Sequence, residues 1–204
     1  NSAVTRDDWA GVFRLLADIG RVLGLSLCLP ALVALVAEED SLAIAFGAAA
    51  IGILGGSYAV RSSLGRREAD TWQATLALIL AWPLFSLISA VPFFLGGVPG
   101  LDALYEGVSA WTDTGLTMIQ DPATLPASLA TFRILIQWFS GLGIVMFMLL
   151  LRAYSPRSVR SLFEAEGRPE DFSTDIWTMG RTVVRIYAAY TVAGALALWA
   201  TGFS

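Results

Sequence analysis

The residues with the clearest chemical potential form one short run of hydroxyl, carboxyl and glycine positions, Thr112-Asp113-Thr114-Gly115-Leu116-Thr117. Glycine reaches the unusual backbone dihedrals that let successive carbonyl groups point the same way. Several such runs, converging from different chains or repeats, can form a ring of carbonyl oxygens that replaces the hydration shell of a potassium ion. Thr114 and Thr117 could bond to the surrounding backbone and hold the loop. Asp113 could add negative charge at the outer mouth, or bond to the scaffold behind it. An ordinary extracellular turn could hold the same residues, so the elements that position the run must be considered.

The composition indicates a membrane protein. The chain has 204 residues, of which 56% are apolar and 15% are charged, and its mean hydropathy is +0.66. A soluble domain usually has about a quarter of its residues charged. The chain contains no histidine and a single cysteine, Cys28, which argues against a zinc site, a disulfide or histidine-based catalysis. The sequence shows no nucleophile–base set that would indicate an enzyme. Its net charge of -4, without a basic patch, disfavours nucleic-acid binding.

Membrane-spanning helices account for most of the apolar residues. A span needs roughly 20 helical residues. Five runs qualify: 22–37 with its apolar shoulders, 42–60, 72–95, 129–151 and 183–203. Prolines within these runs, Pro30, Pro83 and Pro92, are interpreted as kinks. The predicted fold class is therefore an all-α membrane protein, a polytopic helical bundle.

The arginines predict the orientation of the bundle. The chain has no lysine, and twelve of its thirteen arginines flank the predicted spans on one side. The loops on the other side hold acidic residues, and Arg133 is the one arginine that falls on that side. The positive-inside rule then places the N-terminus in the cytoplasm. We expect a multi-pass protein of the cell (inner) membrane.

A short helix is predicted over 101–111, between the third and fourth spans. Asp102 is the predicted N-cap, and Glu106 is expected in the first turn, where a carboxylate suits the helix dipole. About 11 residues extend roughly 16 Å, which reaches the middle of a membrane without crossing it. The segment is thus predicted to be a re-entrant pore helix followed by a filter loop. The alternative is an interfacial helix that lies on the outer face.

Arg133 has two possible roles. It could pair with Glu106 or Asp113 and tie the short helix to the next span, or its side chain could extend to the membrane interface. Pairing is favoured because a charge within the membrane is costly without a partner.

The chain resembles the TrkH family of bacterial potassium-uptake proteins, which is related to KtrB and the plant HKT proteins. The resemblance is carried by SAVPF (89–93), LDALYE (101–106), VSAWTDTGLT (108–117), RILIQW (133–138) and GLGI (141–144). It is supported by LPALVAL (29–35), which resembles the extra first hairpin of this family, and by YAAYT (187–191), where a second repeat would begin.

The resemblance implies four span–pore helix–span repeats around one pore, each with a filter loop centred on a glycine. Residues 1–70 would form an N-terminal two-span hairpin and 71–153 the first repeat. Residues 154–174 would be a cytoplasmic connection, and 175–204 the first span of a truncated second repeat. Because three filter strands are missing, we expect the chain to be part of a longer protein.

The resemblance also implies a set of site residues. The filter would consist of Thr112, Asp113, Thr114 and Gly115, with potassium bound at Thr112, Thr114 and Gly115. Supporting residues would be Glu106, Thr117 and Arg133. The family usually has threonine where Asp113 stands.

The implied function is potassium uptake across the cytoplasmic membrane, with no organic cofactor on this chain. Implied partners are potassium, the lipid bilayer, a second copy in a homodimer and a cytoplasmic nucleotide-binding TrkA-type regulatory subunit. Two alternatives are a non-conducting membrane scaffold or assembly subunit, and a pore formed only when several such chains oligomerise.

Overall fold

The computed structural model describes residues 6–64, 71–153 and 176–202, and over these ranges the chain consists of helices and turns with no strand. Five helical stretches are long and apolar enough to cross a membrane: Trp9–Val36, Asp40–Ser63, Trp72–Leu95, Ala127–Val145 and Thr178–Ala200. The predicted fold class, an all-α polytopic membrane protein, is therefore confirmed. The connection predicted for 154–174 lies outside the described residues.

Seven α-helices make up the described chain. They are α1 (Arg6–Ser26), α2 (Cys28–Val36), α3 (Asp40–Ser63), α4 (Thr71–Leu95), α5 (Gly100–Trp111), α6 (Ala127–Ala153) and α7 (Ile176–Ala200). A 3-10 turn at Pro122–Thr124 precedes α6. The chain divides into two compact units, Asn1–Gly141 and Leu142–Ser204. All contacts described below lie within the first unit.

The helical stretch that contains the first predicted span begins before that span. It covers Trp9–Val36, whereas the predicted run covers 22–37, so Arg14 and Arg21 lie on the same helical stretch as the run. The hydropathy pattern did not indicate this extension because it carries charged residues. In the structure the Asp18 carboxylate accepts a 2.5 Å hydrogen bond from Arg61 of α3 and lies 3.6 Å from Arg21. Pairing lowers the cost of placing charges near the membrane.

Prolines affect the spans in two ways. Between α1 and α2 the helical hydrogen-bond pattern is interrupted near Leu27, because Pro30 has no N–H to bond to the carbonyl four residues earlier, while Leu27 itself keeps helical dihedrals. Pro83 and Pro92, in contrast, lie inside an uninterrupted α4.

Helix α5 begins at Gly100 and is 12 residues long. Its N-cap is Pro99, without a side-chain cap, so the prediction of Asp102 as N-cap is wrong. The first turn closes through a backbone bond from Ala103 N to Pro99 O of 2.7 Å, and this starts the helix two residues before Asp102. Asp102 therefore lies in the first turn. Glu106, expected there, lies in the middle of the helix and is buried.

Helix α5 folds back along α4. A tight turn with Gly97 at φ 92° reverses the chain. A Cβ on Gly107 would lie 2.5 Å from the carbonyl oxygen of Ser86, so the two backbones are in close contact. At its end, the Trp111 ring stacks on Phe85 with centroids 5.5 Å apart. Phe85 lies ten residues before Leu95, the end of α4, which corresponds to about 15 Å. Helix α5 thus ends about halfway along its neighbour.

An aromatic core joins α3, α4 and α6. The Phe132 ring of α6 lies 5.1 Å from Phe46 of α3 and 5.8 Å from Phe93 of α4, and all three side chains are buried. Leu129, one turn before Phe132, is fully buried beside Gly96. The N-terminal helices therefore pack directly on the segment that contains α5.

Candidate functional site

The loop that follows α5 is exposed and has an unusual backbone. Residues 112–116 are all exposed in this chain. Gly115 has φ 76°, as predicted from its position, and Asp113 has φ 54°, which the sequence did not predict. Aspartate is one of the few residues besides glycine that adopt the left-handed region with some frequency. The loop thus has two left-handed residues, separated only by Thr114.

The loop satisfies the carbonyl groups at the end of α5. The amide of Thr112 donates to Val108 O at 2.9 Å, and the amide of Thr114 donates to Ser109 O at 3.0 Å. The Ser140 hydroxyl of α6 donates to Trp111 O. These bonds satisfy carbonyl groups that otherwise have no hydrogen-bond donor at the end of a helix. The bond from Ser140 also holds the end of α5 against the middle of α6.

The threonine hydroxyls stabilise the loop in a different way from that predicted. Thr112, not Thr114, bonds to the helix backbone, with Oγ1 donating to Val108 O at 2.8 Å. Thr114 Oγ1 lies 2.7 Å from Thr112 Oγ1. Thr117 Oγ1 accepts from Ile119 N at 3.1 Å, as expected of a residue that bonds to nearby backbone. The two ends of the loop are therefore held by different groups.

Glu106 connects α5, the loop and α6. Its carboxylate is fully buried. Oε1 accepts from the Thr117 hydroxyl at 2.6 Å and from the amide of Met118 at 2.8 Å. Oε2 accepts from Arg133 Nε at 3.0 Å. Of the two carboxylates proposed for Arg133, Glu106 is thus the partner. The Arg133 side chain is 17% exposed and is paired within the protein instead of extending to the membrane interface.

The carbonyl oxygens of the loop fall into two groups. Leu116 O accepts from the Ser109 hydroxyl at 2.6 Å, and Arg133 Nη2 lies 3.4 Å from Leu116 O and 3.5 Å from Gly115 O. These two carbonyls therefore face the scaffold. Within the described part of the chain, no hydrogen bond reaches the carbonyl oxygens of residues 112–114. Three consecutive carbonyl groups of the loop therefore have no protein donor, and they lie next to the ion pair of Glu106 and Arg133.

Several polar residues that position this site carry no local signal in the sequence. Glu39, in the turn between α2 and α3, accepts from the amides of Ala127 and Ser128 at 2.7 and 3.2 Å. The indole N–H of Trp111 donates to Ser89 Oγ at 2.8 Å, where both side chains are buried. Glu39 and Ala127 are 88 residues apart, so no local pattern could have paired them.

Together, the fold and the site define a polytopic membrane protein in which a half-length helix and its loop are held between two spans. The sequence model of the TrkH family, described as a cation transport protein, matches residues 43–202. The chain therefore belongs to the TrkH family.

The similar proteins agree with this assignment. An uncharacterised cation transporter of Methanocaldococcus jannaschii is 29% identical over 204 residues, covering 98% of this chain and 43% of that protein. The Trk system potassium uptake protein TrkI of Halomonas elongata is 27% identical, covering 96% of this chain and 41% of that protein. Trk system potassium uptake protein TrkH of Escherichia coli K12 is 31% identical over 66% of this chain and 29% of its own length. The chain spans less than half the length of these relatives.

Proposed function

We propose that this chain contributes one selectivity-filter strand to a pore that takes up potassium across the cytoplasmic membrane. The observation that carries the proposal is the exposed loop after a half-length helix, in which the carbonyl oxygens of residues 112–114 accept no hydrogen bond from the described part of the chain. Membership of a cation transport family supports it. Two similar proteins are named potassium uptake proteins, which supports potassium as the ion.

In this proposal the backbone carbonyls of Thr112 and Thr114 bind potassium as substrate. Binding at Gly115 would require its carbonyl to turn away from Arg133, whose Nη2 lies 3.5 Å from it in this structure. A partly dehydrated potassium ion needs a ring of oxygens, and one strand supplies only a part of that ring. Three further strands must come from chain beyond these residues or from other chains. Asp113 places a carboxylate in the strand itself, where it adds negative charge to the cation pathway.

The pair formed by Glu106 and Arg133 would keep the loop in place without adding net charge beside the ion. A buried carboxylate that accepts three hydrogen bonds is held in one position. Thr117 connects this carboxylate to the end of the loop. A fixed loop matters because selectivity depends on the number and position of the oxygens around the ion.

The arrangement in the cell belongs to the same proposal. The arginine distribution supports a cytoplasmic N-terminus in the inner membrane. A homodimer and a nucleotide-binding TrkA-type regulatory subunit are the proposed partners, by analogy with the family. No residue of the described chain is assigned to binding them.

A glycine substitution tests the filter. Gly115→Ala, in the complete transporter, places a side chain at φ 76° and is expected to lower potassium uptake or change the potassium-to-sodium uptake ratio. Gly97→Ala is the matched control, because Gly97 also has a positive φ, and a Cβ at either glycine would meet no atom within 4 Å. Uptake is measured as rubidium influx and as growth of a transport-deficient host on limiting potassium.

The two variants separate a filter defect from backbone strain. The proposal requires a transport defect in Gly115→Ala that Gly97→Ala lacks at equal abundance in the membrane. Equal rubidium influx and equal ion ratios in the two variants would refute the filter assignment. Failure of the wild type to support growth or influx would favour the scaffold alternative.

A further inference from the structure

Glu39 lies in the N-terminal hairpin but interacts with the start of α6. Its two carboxylate oxygens accept hydrogen bonds from the amides of Ala127 and Ser128, at 2.7 and 3.2 Å. The Ser128 hydroxyl donates to the second oxygen as well, and Ser128 is fully buried. These amides belong to the first turn of α6, where N–H groups have no partner within the helix. A carboxylate from a distant part of the chain therefore caps this helix.

The turn that carries Glu39 is itself well defined. The amide of Glu39 donates to Ala34 O of α2 at 2.8 Å. Its carbonyl accepts from Leu42 N and Ala43 N of α3, at 3.0 and 2.9 Å. The preceding residue, Glu38, has φ 58° and is exposed. The backbone on both sides of Glu39 is thus tied to the hairpin, so the position of the carboxylate follows the hairpin.

Downstream of this cap, helix α6 makes two contacts with α5 and the loop that follows it. Arg133, five residues after Ser128, donates to the buried Glu106 carboxylate, and its Nη2 lies beside Gly115 O and Leu116 O. Ser140 donates to Trp111 O at the end of α5. Because a helix behaves as a rigid rod over this length, movement of its first turn would displace both contacts.

We propose that Glu39 is a positioning residue through which the N-terminal hairpin sets the place of α6 and, through Arg133, the conformation of the 112–117 loop. The charge makes the cap strong, because a carboxylate at a helix N-terminus forms charge-assisted bonds and interacts favourably with the dipole. The consequence for ion transport rests on the proposed function. The consequence for the loop conformation does not depend on it.

The inference is tested by measuring amide hydrogen exchange of the loop in the Glu39→Gln variant of the complete transporter. Glutamine keeps the size but has one acceptor oxygen, and its NH₂ group would face a donor of α6. We expect the amides of Thr114 and Met118, which are bonded to Ser109 and Glu106, to exchange about tenfold faster. Glu38→Gln is the matched control, since it removes a neighbouring exposed carboxylate. Unchanged exchange over 112–118 in Glu39→Gln would overturn the inference, even if the variant were less stable.

Transport distinguishes positioning from a purely structural role. At equal abundance, Glu39→Gln is expected to raise the KM for rubidium and to shift the rubidium-to-potassium ratio, with partial rescue by Glu39→Asp. A loss of abundance with unchanged KM and ratio would contradict the inference. If the wild type transports no cation, the proposed function fails, while loop exchange still decides the role of Glu39.

A milder variant tests the inference if Glu39→Gln does not fold. Ser128→Ala removes one of the three bonds to the Glu39 carboxylate and leaves the two amide bonds in place. It is expected to raise exchange over 112–118 in the same direction and by a smaller factor. If Glu39→Gln does not reach the membrane, unchanged loop exchange in Ser128→Ala overturns the inference.

Discussion

Replacing Glu106 with glutamine tests the support behind the loop. The buried carboxylate accepts from the Thr117 hydroxyl, the Met118 amide and Arg133 Nε. A glutamine offers one acceptor oxygen in place of two. If that oxygen faces Thr117 and Met118, its NH₂ group meets the N–H of Arg133. If the amide is flipped, the NH₂ group meets the Met118 amide instead. Either orientation leaves a buried donor without an acceptor.

The expected cost can be worked out from this geometry. One unsatisfied buried donor costs about 1–3 kcal/mol. Removing one partner of a buried ion pair costs about 3–5 kcal/mol, because the remaining charge is left uncompensated. Arg133 is 17% exposed, so water can reach part of the guanidinium. We therefore expect Glu106→Gln to lower the free energy of unfolding by about 3 kcal/mol, the lower end of that range.

The assay is equilibrium unfolding in mixed detergent–SDS micelles, together with rubidium influx. Asp102→Asn is the matched control, because it removes a carboxylate from the first turn of the same helix and should cost only about 0.3–1 kcal/mol. The double variant with Arg133→Gln should cost less than the sum of the single variants, by about 2 kcal/mol. Additive costs, or a Glu106→Gln cost no larger than that of Asp102→Asn, would refute the reasoning.

Two further predictions concern the packing of α5. Gly107→Ala places a Cβ 2.5 Å from the Ser86 carbonyl oxygen, which cannot rotate away; it should cost about 1–3 kcal/mol in the same unfolding assay and reduce influx. Gly100→Ala is its control, with the nearest atoms at 3.9 Å, and an equal cost would contradict the close-contact explanation. Trp111→Phe removes the hydrogen bond to Ser89 Oγ and should cost about 1–3 kcal/mol. Adding Ser89→Ala, which removes the unpaired hydroxyl, should recover part of this cost. No recovery in the double variant would show that the hydroxyl is satisfied in another way.

Much of the architecture could be predicted from the residues because its signals are local. Apolar runs of span length predicted the membrane-crossing helices, and the 3.6-residue period with a following Thr/Gly loop predicted a short helix. The positive φ of Gly115 follows from glycine's conformational freedom. An unpaired charge near the membrane is costly, so a carboxylate partner was expected for Arg133. The candidates for this partner were Glu106 and Asp113.

By itself, then, the sequence determined the class of protein, the number of spans and the position of the candidate loop. The tertiary structure alone decided which carboxylate Arg133 contacts, how far the helix before the first predicted span extends and which residue caps α6. Each of these depends on groups far apart in the chain: Asp18 meets Arg61, and Glu39 meets Ala127. Hydropathy and helical period describe neighbours along the chain, whereas a hydrogen bond between distant residues forms only when packing brings them within about 3 Å.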